Sequence, residues 1–291
     1  MITNLNTQEA ENYIKDAEKL KKSWFYRNSK LLKAAELYKK AGLIYKLSKK
    51  WMEAGDAYFR AATCYNKQNP IEAITLYIDS SNCYRDYSSS DAIYALNNAV
   101  ELCKENGRFR KAAKHQIAIG EIYESNLNDI HSAIAAYETA IELLNNEMDE
   151  TKQLECYEKI AIFYSELEQY EKTIDIFFKI SKISEKLNKS WYSTNNYILN
   201  AGLCQLYQNL RDNVLPNKLM NILNICIRFN NDFKDSDEYR FLKNLIFSVE
   251  KKDPEYFVQI LQDFDKRSPF DTWRLKLLLQ IKQFINMKIL C

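Results

Sequence analysis

Glycine and proline are scarce in this sequence, 5 and 4 in 291 residues, against usual shares of roughly 7% and 5%. So few backbone breakers over such a length argue for long helices joined by short connections. Histidine is limited to 2, and the 7 cysteines contain no CxxC, so no ligand pair has metal spacing. No run of roughly 18 apolar residues occurs, and nothing reads as a membrane-spanning helix. The opening MITNLNTQEAENYIKDAEKL lacks the apolar centre of a secretory signal, and unpaired thiols imply a reducing compartment, so a cytoplasmic chain is expected. Basic and acidic residues nearly cancel, 41 against 39, and a net charge of +2 does not describe a general nucleic-acid binder. There is no glycine-rich phosphate loop, HExxH, nucleophile elbow or kinase signature. No catalytic residue, metal site or cofactor is therefore expected. His115 and His131 are isolated and read as packing or surface residues.

What is present is a repeat. Ala, Leu, Lys and Glu, all good helix formers, dominate the alphabet. A block of small residues with an aromatic about four positions on reads AAELYKKAG from Ala34, AGDAYFRAA from Ala54 and AITLYIDSS from Ala73. It continues as AIYALNNAV from Ala92, AAKHQIAIG from Ala112 and AIAAYETAI from Ala133, at steps of 20, 19, 19, 20 and 21. Weaker copies begin at Leu154, Thr173 and Thr194. Each period holds one helix and a turn, and two periods make a hairpin of about 40 residues, a helical-solenoid length. Small residues let helices approach to about 8–10 Å, and an aromatic on the same face fills the groove between them. Cys64, Cys83 and Cys103 follow the same period and read as buried, equivalent core residues. Between blocks, Pro70 fits a first helical turn, Ser90 or Asp91 a cap, and Gly107 a helix stop.

After about residue 212 the block fades, and Pro216, Pro254 and Pro269 divide the remainder into shorter helices. Phe229 to Phe233 reads as a loop. The stretch from Asp271 to Leu290 is apolar at Trp273, Leu277, Leu278, Ile281, Phe284 and Ile285, an amphipathic helix closing the array. The expected organisation is a helical-hairpin solenoid over 1–232, with an aromatic loop near 22–28, and a small C-terminal helical bundle over 233–291 that caps it.

Three features invite function. Trp24, Phe25 and Tyr26 are adjacent aromatics flanked by Lys21, Lys22 and Arg27; such a cluster suits a bilayer interface or a staple on the first hairpin. Arg108, Lys111 and Lys114, with Arg110 between them, are spaced by three and share a helical face that Lys159 would extend. A basic stripe on a solenoid attracts an acidic partner, and the bland alternative is a solvated lysine face. The chain's last residues, Met287 to Cys291, are largely apolar.

At these residues a family resemblance appears. Gly107 to His115 running into Ile119 to Glu124, Leu167 to Ile176, and Asp271-x-Trp273 followed by Leu278 to Lys282 resemble segments of the alpha-type soluble NSF attachment proteins (the α-SNAP family), in one register over essentially the whole chain. The resemblance implies an all-α, TPR-like right-handed solenoid and an adaptor, not an enzyme. It also implies binding to the four-helix bundle of assembled SNARE proteins, syntaxin-type and related, and recruitment of the hexameric ATPase NSF. By position, Arg108, Lys114 and Lys159 match SNARE-facing residues, with Lys111 beside them. Trp24 and Phe25, with Tyr26, match the membrane loop, and Asp271 and Leu290 fall at the end that meets NSF. Glu155, Asn195 and Asp237 stand where basic residues are expected, and the tail carries Lys288 in place of an acidic run. The competing readings are a TPR-like scaffold for another peptide or helical partner, and a helical-repeat RNA binder, which the balanced charge disfavours.

Overall fold

The computed structural model describes residues 2–22, 27–187, 191–215 and 218–287. Among these there are fourteen α-helices and no strand. The chain forms two compact units, Met1–Asp149 and Glu150–Cys291. The first holds α1 (Ile2–Lys22), α2 (Arg27–Leu47), α3 (Trp51–Tyr65), α4 (Pro70–Tyr84), α5 (Ser89–Glu105), α6 (Phe109–Ile122) and α7 (Ile130–Asn145). Each of α1 to α6 packs on its successor. Ion pairs reach the helix after next, from Lys39 of α2 to Glu72 of α4 and, at 3.1 Å, from Arg60 of α3 to Glu18 of α1. Contact with the next helix and the one beyond makes a TPR-like array of antiparallel hairpins.

One sequence block falls in each of α2 to α7, and its small residues are where neighbouring helices meet. A Cβ on Gly42 would stand 2.8 Å from the Tyr58 ring, and one on Gly55 2.5 Å from the Tyr84 ring. Ala34, Ala54, Ala73, Ala92, Ala112 and Ala133 are all fully buried. The tyrosines do more than fill space, because a buried hydroxyl needs a partner. Tyr38 donates to Glu18 of the preceding helix at 2.5 Å, Tyr84 to Asp56 at 2.6 Å and Tyr137 to Glu124 at 3.1 Å, and Tyr65 makes the same bond to Glu36. Cys64, Cys83 and Cys103 are buried, as their spacing implies.

The helix ends follow local rules. Asn69 caps α4 by accepting the Glu72 amide at 3.3 Å, with Pro70 as first residue. The cap of α5 is Ser88, not Ser90 or Asp91. Its hydroxyl accepts the Asp91 amide at 3.4 Å, because the helix starts at Ser89, three residues before the apolar periodicity at Ala92. Gly107 takes φ +67° at the end of α5, the left-handed stop expected of it. With so few glycines, other left-handed positions fall to side chains that resist them, among them Lys49, Met148, Glu168 and Lys252.

The second unit begins with α8 (Glu150–Glu166), α9 (Tyr170–Lys186) and α10 (Trp191–Arg211), paired in sequence as in the first unit. Then α10 packs on three later helices, α11 (Asn221–Phe229), α12 (Asp237–Lys251) and α14 (Thr272–Met287), while α13 (Pro254–Asp265) packs on α12 and α14. Serial stacking thus gives way to a C-terminal bundle around α10. Aromatic side chains fill it: Phe178 stacks on Phe229 at 3.7 Å, Phe241 on Phe264 at 4.2 Å, and Phe177 meets Trp273 at 5.4 Å. Of the segment Phe229 to Phe233 read as a loop, Phe229 ends α11 and the rest enters a 3₁₀ turn, Asn231–Asp235, that buries Phe233.

Two substitutions test this account in opposite directions. Gly55→Ala should lower the unfolding free energy by about 1–3 kcal/mol, since the Tyr84 ring must move. Lys252→Gly, at φ 56°, should raise it by about 1 kcal/mol. Urea denaturation of each variant beside the parent reads both.

Candidate functional site

The basic row of the first unit sits on α6, and the α5–α6 turn places it. Gly107 reverses the chain so that the Arg108 amide returns to the Cys103 carbonyl at 2.8 Å, and α6 starts at Phe109. Ala112, Ala113 and His115 face the core, which leaves Lys111 and Lys114 exposed, with Arg108 half-buried at the helix start. Neither lysine makes an ion pair among the described residues. Arg110 is drawn aside to Asp149 at 3.4 Å.

This arrangement opposes local electrostatics. A helix N-terminus carries the positive end of the macrodipole and favours acids. α3, α4, α5, α8, α9, α12 and α13 each place Asp or Glu in the first turn. α6 has no acid there, and Arg108 at its cap position supplies no side-chain cap bond. Three cations, Arg108, Arg110 and Lys111, crowd an end that disfavours them. α1, α2, α7, α10, α11 and α14 also lack an acid in the first turn, but α6 adds to that lack two exposed lysines, Lys111 and Lys114, with no ion pair among the described residues. Beneath it, burial first, then Lys114 and Lys111, push the His115 imidazole below its ordinary value, which keeps it neutral and leaves His131 as the exposed histidine.

In the second unit Lys159 is exposed on α8. The three acidic or neutral departures have separate explanations. Glu155 is exposed and met by Lys152 at 2.5 Å. Asp237 pairs with Arg240, and with Arg267 at 3.3 Å. Asn195 is fully buried, with neither its amide nitrogen nor its oxygen partnered. The expectation that it alters the charge of a partner-facing surface is therefore corrected: it lies in the core of α10. Asp271 is exposed and accepts the Arg274 amide at 2.7 Å, so it caps α14, while Trp273 turns into the core. Trp24, Phe25, Tyr26 and Leu290 lie outside the described residues.

Sequence reasoning passed over a second row of lysines. Lys172, Lys179 and Lys186 recur every seven residues on α9, opposite Tyr164, Tyr157 and Glu150 of antiparallel α8. Lys172 stands 4.8 Å above the Tyr164 ring and Lys179 4.3 Å above that of Tyr157, and Lys186 pairs with Glu150. The heptad spacing was the available signal. These cations are spent inside the hairpin, unlike Lys111 and Lys114.

Among the described residues no helix is long and apolar enough to cross a membrane, and no cluster of His, Cys, Asp and Glu would hold a metal ion. The fold is that of a helical-repeat protein, and α6 carries an exposed basic row. The chain belongs to the SNAP family, soluble NSF attachment proteins, whose pattern matches residues 8–286. Alpha-soluble NSF attachment protein of Vitis vinifera is 34% identical over 284 residues, 97% of this chain and 96% of the relative. Beta-soluble NSF attachment protein of Bos taurus is 32% identical and the alpha protein of Homo sapiens 31%, each spanning 96% of this chain and 92% of its own length. Membership makes the chain an attachment protein and not an enzyme.

His115 supplies a pH test. Its folded pKa lies below the unfolded value of 6.5, so the unfolded state takes up the proton first. The stability this gives is fully present above pH 6.5 and is lost as pH falls below it. The melting temperature of the parent should therefore drop more steeply between neutral and mildly acidic pH than that of His115→Leu, followed by circular dichroism.

Proposed function

We propose that this protein is a cytoplasmic, peripherally membrane-associated adaptor that holds assembled SNARE bundles and brings an NSF-type hexameric ATPase to them for disassembly. The observation that carries this is the SNAP-family match over residues 8–286, with relatives named as NSF attachment proteins over nearly their full length. The exposed α6 lysines support it. In this reading Arg108, Lys111 and Lys114 of the first unit, and Lys159 of the second, meet acidic side chains of a syntaxin-type four-helix bundle. A rigid array serves such a role because its cations are positioned before the partner arrives, which limits the ordering cost of binding. Opposite charge raises the encounter rate and fixes register. Trp24, Phe25 and Tyr26 touch the bilayer, and the end bearing Asp271 and Leu290 meets the ATPase.

Each contact has its own readout. Lys114→Glu with Lys159→Glu should weaken binding to an assembled SNARE bundle at least tenfold, about 1.4 kcal/mol, with helicity unchanged. Parent binding should weaken as salt rises, and an affinity unmoved by both reversals would remove these lysines from the contact. Leu290→Ala should keep bundle affinity and slow ATP-driven disassembly. Trp24→Ser with Phe25→Ser should slow disassembly of membrane-anchored complexes and leave that of soluble complexes nearly unchanged, because membrane and SNARE contacts add through effective concentration. Equal slowing of both substrates would assign the aromatics to the first hairpin instead.

A further inference from the structure

An open groove of about 540 Å³ runs between the first three helices, lined by Leu20 of α1, Leu32, Lys33, Glu36 and Leu37 of α2, and Tyr65 of α3. Its size falls within the usual range for small-molecule sites. The three leucines are half-buried, so the groove is a lasting apolar face and not a packed core. Its polar groups are largely occupied. The Tyr65 hydroxyl donates to the Glu36 carboxylate, which leaves Lys33 as the charged lining residue without an ion pair among the described residues. A peptide laid here would find almost nothing to satisfy its backbone amides and carbonyls, whereas a hydrocarbon chain needs no such partners.

Lys33 puts a cation on the groove wall. Lys21 and Lys22 follow Leu20 directly and are exposed, as is Lys33 next to Leu32. Glu18, the nearby acid, is already engaged by Tyr38 at 2.5 Å and Arg60 at 3.1 Å. An apolar trough with a cation on its wall, and two more exposed lysines following Leu20 along α1, matches a ligand with an apolar tail and an anionic head. Leu20 and Leu32 lie within six residues of Trp24–Tyr26 along the chain.

We propose that this groove takes one acyl chain of an anionic membrane phospholipid, with Lys21, Lys22 and Lys33 holding its headgroup. The inference rests on the membrane contact assigned above to Trp24–Tyr26. That contact brings the groove to the bilayer, and the groove then captures a single lipid. The membrane contact thereby becomes selective for anionic lipid, which aromatic insertion alone does not achieve, since each lysine near an anionic surface strengthens attachment about fivefold.

The test uses the full chain with vesicles of phosphatidylcholine and phosphatidylserine. One or the other lipid carries a photoactivatable acyl chain, and labelled peptides are identified by mass spectrometry. The serine-headed probe should label α2 and α3 around Leu32, Leu37 and Tyr65, at least tenfold more than the choline-headed probe. Leu32→Trp, which fills the groove, should abolish that labelling with helicity and melting temperature retained. Leu37→Asn, which puts an amide on the wall, should do the same, so the result does not hang on one variant folding. Replacing Lys21, Lys22 and Lys33 with Gln should reduce labelling at least tenfold. Labelling confined to residues 23–27 and indifferent to Leu32→Trp would overturn the groove and leave the membrane contact standing. No labelling anywhere would overturn both, and equal labelling by the two probes would overturn the headgroup assignment.

Discussion

The fit of a large ring on one helix over a small residue on its neighbour governs this structure. Tyr58 over Gly42 and Tyr84 over Gly55 fix how far apart two helices stand and how they are offset. A methyl group at either glycine would collide with the ring, so the offset has almost no freedom. The block of small residues and aromatics that supplies such contacts recurs at steps of 19 to 21 residues, and an array follows with no long-range instruction. The tyrosine hydroxyl adds direction. Its bond to a carboxylate of the preceding helix, as from Tyr84 to Asp56, satisfies a group that packing would otherwise leave buried and unpaired.

The charged residues depend on that frame. Where lysines lie along a helix-helix seam, as on α9, rings and a carboxylate of α8 take them up. Where a helix face stays open, as at Lys111 and Lys114 of α6, they project without a partner within the described chain. Both rows show lysines at regular spacing, and only the packing separates an internal clasp from an exposed row. The same frame makes a basic α6 N-terminus tolerable. Ala112 and Ala113 anchor the helix by burial, which offsets a mismatch with the helix dipole that would fray an isolated helix.

Function in such a molecule is a matter of presentation. No chemistry is performed by its side chains, and the work proposed for it is to hold other molecules together at a membrane. Several weak contacts suit that role better than one strong contact, because each can be released when the assembly is taken apart. The basic faces, the aromatic segment and the C-terminal end would each contribute a modest part. The stability of the helical array sets how accurately they are held relative to their own neighbours.

Much of this was legible in the sequence. The period of small residues and aromatics identified one helix per block, the buried cysteines fell at equivalent positions, and Gly107, Pro70 and Pro254 marked helix ends, because these are short-range effects of backbone geometry and side-chain size. The row Arg108, Lys111, Lys114 was readable for the same reason, since helical facing depends on spacing alone. Tertiary structure decided the rest. It turned Asn195 from a surface position into a buried one, gave Asp271 a capping bond, drew Arg110 to Asp149, and joined tyrosines to acids 13 to 39 residues away, Tyr137 to Glu124 and Tyr197 to Glu158 among them. Burial and partner choice depend on which helices lie alongside, and a side chain's neighbours across a helix interface are set by packing, not by its own position in the repeat.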